Sequence, residues 1–143
     1  MSLIEIQVIE GSVAQKHYTG DVGYDLSADI PEAITLRRGD LPVTISTGLA
    51  LCMPHNVFGL ILPRSGLTKE GNKSGIGVVD SDYTGKLMVT LSTDREEYVI
   101  HPGDRIAQLV ILPKLSVVFI SGREAPPQSR FERGSRGFGS TGK

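Results

Sequence analysis

The chain has 143 residues, 39% of them hydrophobic, and a formal charge of −1, which fits one globular domain and argues against a general nucleic-acid binder. Its single cysteine, Cys52, cannot form an internal disulfide and reads as a small buried hydrophobe in a reducing compartment. No apolar run approaches the ~20 residues of a membrane span, and the opening Met-Ser-Leu-Ile-Glu carries no basic leader region, so a soluble intracellular protein is expected, with no membrane partner.

Gly or Pro interrupts the chain every few residues, leaving short alternating or apolar runs that predict an all-β fold. Ile4, Ile6 and Val8 alternate with Glu5 and Gln7, and Val43, Ile45, Leu49 and Leu51 keep the same period. Phe58 to Leu62, Leu87 to Leu91, Ile106 to Leu112 and Val117 to Ile120 read as buried strands. No long helix is predicted. Many short strands imply a sandwich or small barrel, whose edges need protection by closure or by subunit contact. Ala125-Pro126-Pro127 reads as a linker, dividing a body of residues 1–125 from a Gly-rich arm of residues 126–143. Residues 123–143 hold five basic groups against two acidic ones, a net of +3 that leaves −4 on the remainder. A positive arm on a mildly acidic body suits a small polyanion; a solvated tail has the same composition.

Gly77 to Gly85 (GVVDSDYTG) is the densest polar cluster. Val78 and Val79 lead in, and Leu87, Met88, Val89 and Leu91 lead out, so it reads as a β-hairpin with carboxylates and a phenol at the bend. An ordinary turn would also use Asp, Ser and Gly. Pro63-Arg64-Ser65-Gly66-Leu67 follows the 58–62 strand; a guanidinium, a hydroxyl and a glycine N–H can hold phosphate oxygens, and a strand end with a surface arginine looks the same. The tail Arg133-Gly134-Ser135-Arg136-Gly137-Phe138-Gly139-Ser140-Thr141-Gly142 combines anion-binding groups with one ring able to stack on a base, and it reads as a lid rather than a P-loop. His17, His55 and His101 are isolated, so no protein metal cage is predicted.

In this order, VGYDLSA, PRSGLT, GVVDSDYTG, GDRIAQLV and RGSRGFGSTG closely resemble the five motifs of the trimeric dUTP diphosphatase (dUTPase) family, across residues 22–142. The resemblance implies a jelly-roll-like β-barrel with a flexible Gly-rich C-terminal arm, and a homotrimer with active sites at subunit interfaces. It also implies hydrolysis of dUTP to dUMP and pyrophosphate, which limits uracil in DNA and supplies dUMP for dTMP synthesis. By motif matching, Asp80 activates the attacking water, and Arg64, Ser65, Gly66 and Gln108 serve the phosphates. Tyr83 stacks on the deoxyribose. Ser74, Gly77, Val78 and Val79, largely through their backbone, and Met88 read the uracil. Arg133, Phe138, Gly139, Ser140 and Thr141 close the arm over substrate, and Asp25 assists Mg²⁺ through water, the ion being held mainly by the substrate's phosphates.

Two departures accompany the match: Thr68 to Ile76 is shorter than in relatives, and Ser74 stands where some carry asparagine. Arg136 receives no role. A dCTP deaminase-like enzyme and a non-catalytic nucleotide-binding module are the competing expectations; the DSDY segment and the complete arm favour the hydrolase. Cytoplasm is the expected location, with nucleus or an infected host cell equally compatible.

Overall fold

The computed structural model describes residues 3–14 and 20–122. The boundary expected near residue 125 and the whole arm, including Arg133, Phe138, Gly139, Ser140 and Thr141, lie outside the described residues.

Ten strands and one short helix form in chain order: β1 Gln7–Glu10, β2 Tyr24–Ser27, β3 Ile34–Arg37, β4 Val43–Cys52, β5 Val57–Leu62, α1 Ser65–Lys69, β6 Asn72–Ser74, β7 Gly77–Val79, β8 Lys86–Thr93, β9 Glu97–Ile100 and β10 Arg105–Pro113. They build three antiparallel sheets, ordered β1-β4-β8-β6, β2-β10-β5-β7 and β3-β9. The all-β expectation holds, and no closed barrel forms among the described residues.

Alternation fixes which faces meet. β8 buries Leu87, Val89, Leu91 and Thr93 and turns Lys86, Met88 and Thr90 outward. Ile45, Val57, Ile61, Ile100 and Ile106 join Leu87, Val89 and Leu91 in a single core cluster, where each buried aliphatic side chain contributes about 1.5–3 kcal/mol. Ile106 has no solvent exposure, so Ile106→Ala should lower stability by about 2–5 kcal/mol; a denaturant titration reading an unchanged midpoint would contradict this.

Four local expectations fail for identifiable reasons. Gly77 to Gly85 is not a hairpin: β7 pairs with β5, whereas β8 pairs with β4 and β6, so Asp80 to Gly85 carries the chain from one sheet to another. Cys52 is exposed, because it follows the inward-facing Leu51 at the end of β4 and strand alternation turns it outward. Val117 to Ile120 is neither a strand nor buried, and Phe119 is 93% exposed. The first strand begins only at Gln7 and is exposed along its length.

Candidate active site

β5 ends at Leu62, and the chain passes through Pro63 and an extended Arg64 into α1. Arg64 therefore lies where strand gives way to helix, a change the sequence reading did not foresee. The Thr68 N–H and hydroxyl both reach the Arg64 carbonyl, each at 3.2 Å, and fasten this first turn. Ser65 and Gly66 open the helix and are exposed, with backbone N–H groups that lack intrahelical acceptors.

The Arg64 side chain turns back towards β2. Its Nε donates to Asp25 Oδ1 at 3.0 Å, and its Nη1 donates to the Arg105 carbonyl at 3.3 Å. Asp25 Oδ2 lies 3.5 Å from Arg105 Nη1, so one carboxylate faces two guanidinium groups. Gln108 pairs with Asp25 on one side and Leu62 on the other, and its Nε2 donates to the Pro63 carbonyl at 2.9 Å. Gly23 packs against this side chain: a Cβ there would fall 2.1 Å from Gln108 Oε1. Asp25, Arg64 and Gln108, drawn from three separate motifs, thus meet at one end of the β2-β10-β5-β7 sheet. A pocket of about 310 Å³ opens beside them, lined by Arg64, Gly66, Glu70, Tyr98 and Arg105 among others. Burial and the adjacent Glu70 carboxylate push the Tyr98 phenol up from its ordinary value, keeping it a neutral donor on that wall.

Asp80 and Tyr83 stand elsewhere. Asp80 follows Val79, the partner of Gly59, and is exposed at the far end of β7. The Tyr83 N–H donates to the Asp80 carbonyl at 3.1 Å, and the phenol donates to the Lys86 carbonyl at 2.7 Å, holding the ring across the connection. Ring and backbone touch so closely that a Cβ on Gly85 would lie 2.6 Å from the Tyr83 oxygen. Val78 and Met88 are exposed on the strands that flank this connection, Gly77 packs near Ile61, and Ser74 ends β6. The Val79 side chain is in the core, so only its backbone can face a ligand.

The two groups are far apart within one chain. Asp25 and Asp80 belong to opposite edges of a four-stranded sheet, three strand spacings or about 14 Å across. Asp25 is level with Leu62 through Gln108, whereas Asp80 is level with Phe58, a further offset of about 13 Å along the strands. The resulting separation, on the order of 20 Å, exceeds the length of a triphosphate.

For a divalent ion, the described residues offer no group of three or more His, Cys, Asp or Glu side chains. Asp25 alone, already facing two cations, fits an outer-sphere role through water and does not fit a protein-built cage. Sequence reasoning found Asp25, Arg64, Gln108, Asp80 and Tyr83 but gave Arg105 no role. Its presence in the Gly103-Asp104-Arg105 segment was the only available signal.

The fold is an all-β one with two guanidinium groups, a donor type suited to phosphate oxygens, at one end of a sheet and an exposed carboxylate and phenol at the other. A family model described as dUTPase matches residues 10–142. The deoxyuridine 5'-triphosphate nucleotidohydrolase of Coxiella burnetii (strain RSA 331 / Henzerling II) is 47% identical over 133 residues, covering 87% of this chain and 83% of its own. The enzyme of the same name from Blochmanniella pennsylvanica (strain BPEN) is 37% identical over 153 residues, covering 97% and 98%. A mutant dUTPase of phage 80alpha shares the fold at a TM-score of 0.82 and 24% identity, over 96% of this chain and 98% of its own. The chain belongs to the dUTPase family.

Proposed function

We propose that the chain hydrolyses dUTP to dUMP and pyrophosphate, at sites assembled between copies of itself in a homotrimer. The observation that carries this is the separation of Asp80 and Tyr83 from Asp25, Arg64 and Gln108: one substrate can meet both groups only if a second copy supplies one of them. Exposed Leu115, Val117, Val118, Phe119 and Ile120, with Ile76 and Val78, supply apolar surface for such an assembly. The three sheets are read as parts of a jelly-roll-like barrel, the architecture that the family resemblance implies.

In the reaction, Asp80 accepts a proton from water as its oxygen attacks the α-phosphorus. The bond from that phosphorus to the bridging oxygen breaks, and pyrophosphate leaves with the electron pair. General-base help of this kind is worth about 10²- to 10⁴-fold. Arg64, with Ser65 and Gly66, binds phosphate oxygens where charge develops, while the Gln108 amide, fixed by Pro63 and Gly23, orders the phosphate and water network. Asp25 would hold Mg²⁺ through water; the ion supplies charge neutralisation on the phosphates when bound. The arm, with Arg133, Phe138, Gly139, Ser140 and Thr141, closes over the substrate and excludes water. Backbone groups of Ser74, Gly77, Val78 and Val79 and the Met88 side chain read uracil.

Tyr83 stacks on the deoxyribose and leaves no room for a 2′-hydroxyl. Gly85→Ala should therefore act on sugar choice: the new Cβ displaces the ring, and the preference for dUTP over UTP should fall about tenfold or more. Unchanged kcat/KM ratios for the two nucleotides would contradict that role. The function itself is tested by pyrophosphate release from dUTP, UTP, dTTP and dCTP with Mg²⁺. Release from dUTP alone is expected, and ammonia release from dCTP would move the chain to base chemistry.

No described helix is long and apolar enough to cross a membrane. Cytoplasm is the proposed location, because a dUTP hydrolase acts where deoxynucleotides are used.

A further inference from the structure

We propose that Arg105 is a positioning residue that holds the Asp25 carboxylate when Arg64 turns to the substrate's phosphates. This rests on the phosphate role given to Arg64 above.

The backbone is shaped to aim Arg105 at Asp25. In β10, Gln108 is opposite Asp25 and Ala107 is opposite Leu26, but Arg105 is opposite Ser27, because the register breaks between Arg105 and Ala107. In a regular strand Arg105, three positions from Gln108, would point to the other face of the sheet. The bulge returns it to the face carrying Gln108 and Asp25, as bulges beside functional sites do when they re-aim a side chain. Ile106, the inserted residue, and Ala107 are both fully buried, which anchors the irregularity in the core.

Asp25 is then shared unequally. Arg64 Nε makes the shorter contact at 3.0 Å, Arg105 Nη1 the longer at 3.5 Å, and the Arg105 carbonyl also accepts from Arg64 Nη1. Both the Asp25 and Arg64 side chains are largely shielded from solvent, at 28% and 29% exposure, whereas the Arg105 side chain is 50% exposed. When Arg64 releases Asp25 to reach a phosphate, a half-buried carboxylate is left beside a polyanion, and both desolvation and like-charge repulsion oppose it. Arg105 already stands within ion-pair distance and needs only a small side-chain movement to complete the contact. Asp104 does not compete for it: its Oδ2 accepts the His101 N–H at 2.8 Å.

The test is binding, measured by calorimetry on the full chain, with a non-hydrolysable dUTP analogue and with deoxyuridine, which has no phosphate. Arg105→Gln should weaken the analogue about 5- to 10-fold, within the range for a partly exposed charge-assisted contact, and leave deoxyuridine within twofold. Arg105→Lys should recover most of the loss. In an Asp25→Asn background, Arg105→Gln should cost nothing further, since the carboxylate it serves is gone. Equal losses for both ligands would show a merely structural residue. The same loss with Asp25→Asn would show that Arg105 acts without Asp25, and either result overturns the proposal. A wild-type protein that bound neither uracil compound would refute the substrate assignment instead, and the same variants titrated with inorganic pyrophosphate would still decide Arg105 by the same pattern.

Discussion

Asp80→Asn is expected to lower kcat for dUTP by about 10²- to 10⁴-fold while changing KM only a few-fold. The amide keeps the shape of the carboxylate and its place at the end of β7, but it cannot take a proton from water. Asp80 is exposed and its carboxylate makes no hydrogen bond or ion pair among the described residues, so the substitution removes no such contact and folding should be untouched. Single-turnover measurements with Mg²⁺ isolate the chemical step. Loss confined to KM would assign Asp80 to binding, and undiminished kcat would remove it from the mechanism.

Arg64→Ala should lower kcat/KM by about 10²- to 10³-fold, the scale on which removal of one preorganised donor to a charged transition state is felt. Asp25 and the Arg105 carbonyl keep the Arg64 guanidinium beside the site before substrate arrives, and from there it turns to the phosphates. Arg64→Lys should recover little, because a point charge reproduces neither the planar fork nor the simultaneous contacts to a carboxylate and a carbonyl. Stability should move much less than activity, since this ion pair is partly exposed and such pairs contribute about 0–1 kcal/mol. A variant that lost stability and activity in parallel would mark Arg64 as structural.

The sequence and the structure agree where the information is local. Alternation in Leu87 to Leu91 and the apolar runs at 58–62 and 106–112 predict β8, β5 and β10, because one buried face imposes period two. Long-range pairing is another matter. Val78, Val79 and Leu87 flank a short polar connection just as hairpin strands do, yet their strands pair with different sheets, a choice made by β5 and β4 rather than by the turn. Cys52 is a different case: its apolar neighbours suggest burial, but the alternation that buries Leu49 and Leu51 turns the next residue outward. Apolar composition at Val117 to Ile120 predicts burial without saying against what, and the described part of the chain does not cover it.

The site follows the same division. Asp25, Arg64, Gln108, Asp80 and Tyr83 are legible as motif residues, and the structure brings the first three together. That Asp80 and Tyr83 stand at the opposite end of the sheet required strand order and register. Arg105 escaped because a strand read at period two places it on the wrong face, and only the bulge next to Ile106 corrects this.

The central claim is that Asp80 and Arg64 act on one substrate from two different copies of the chain. The most direct measurement is dUTP hydrolysis by a co-refolded equal mixture of Asp80→Asn and Arg64→Ala, each nearly inactive alone. If a site takes its Asp80 and its Arg64 from different subunits, random assembly joins the two intact groups in about one quarter of sites, and activity should recover towards that fraction of wild type. A mixture no more active than the two variants measured separately would place both residues in one chain's site and contradict the account.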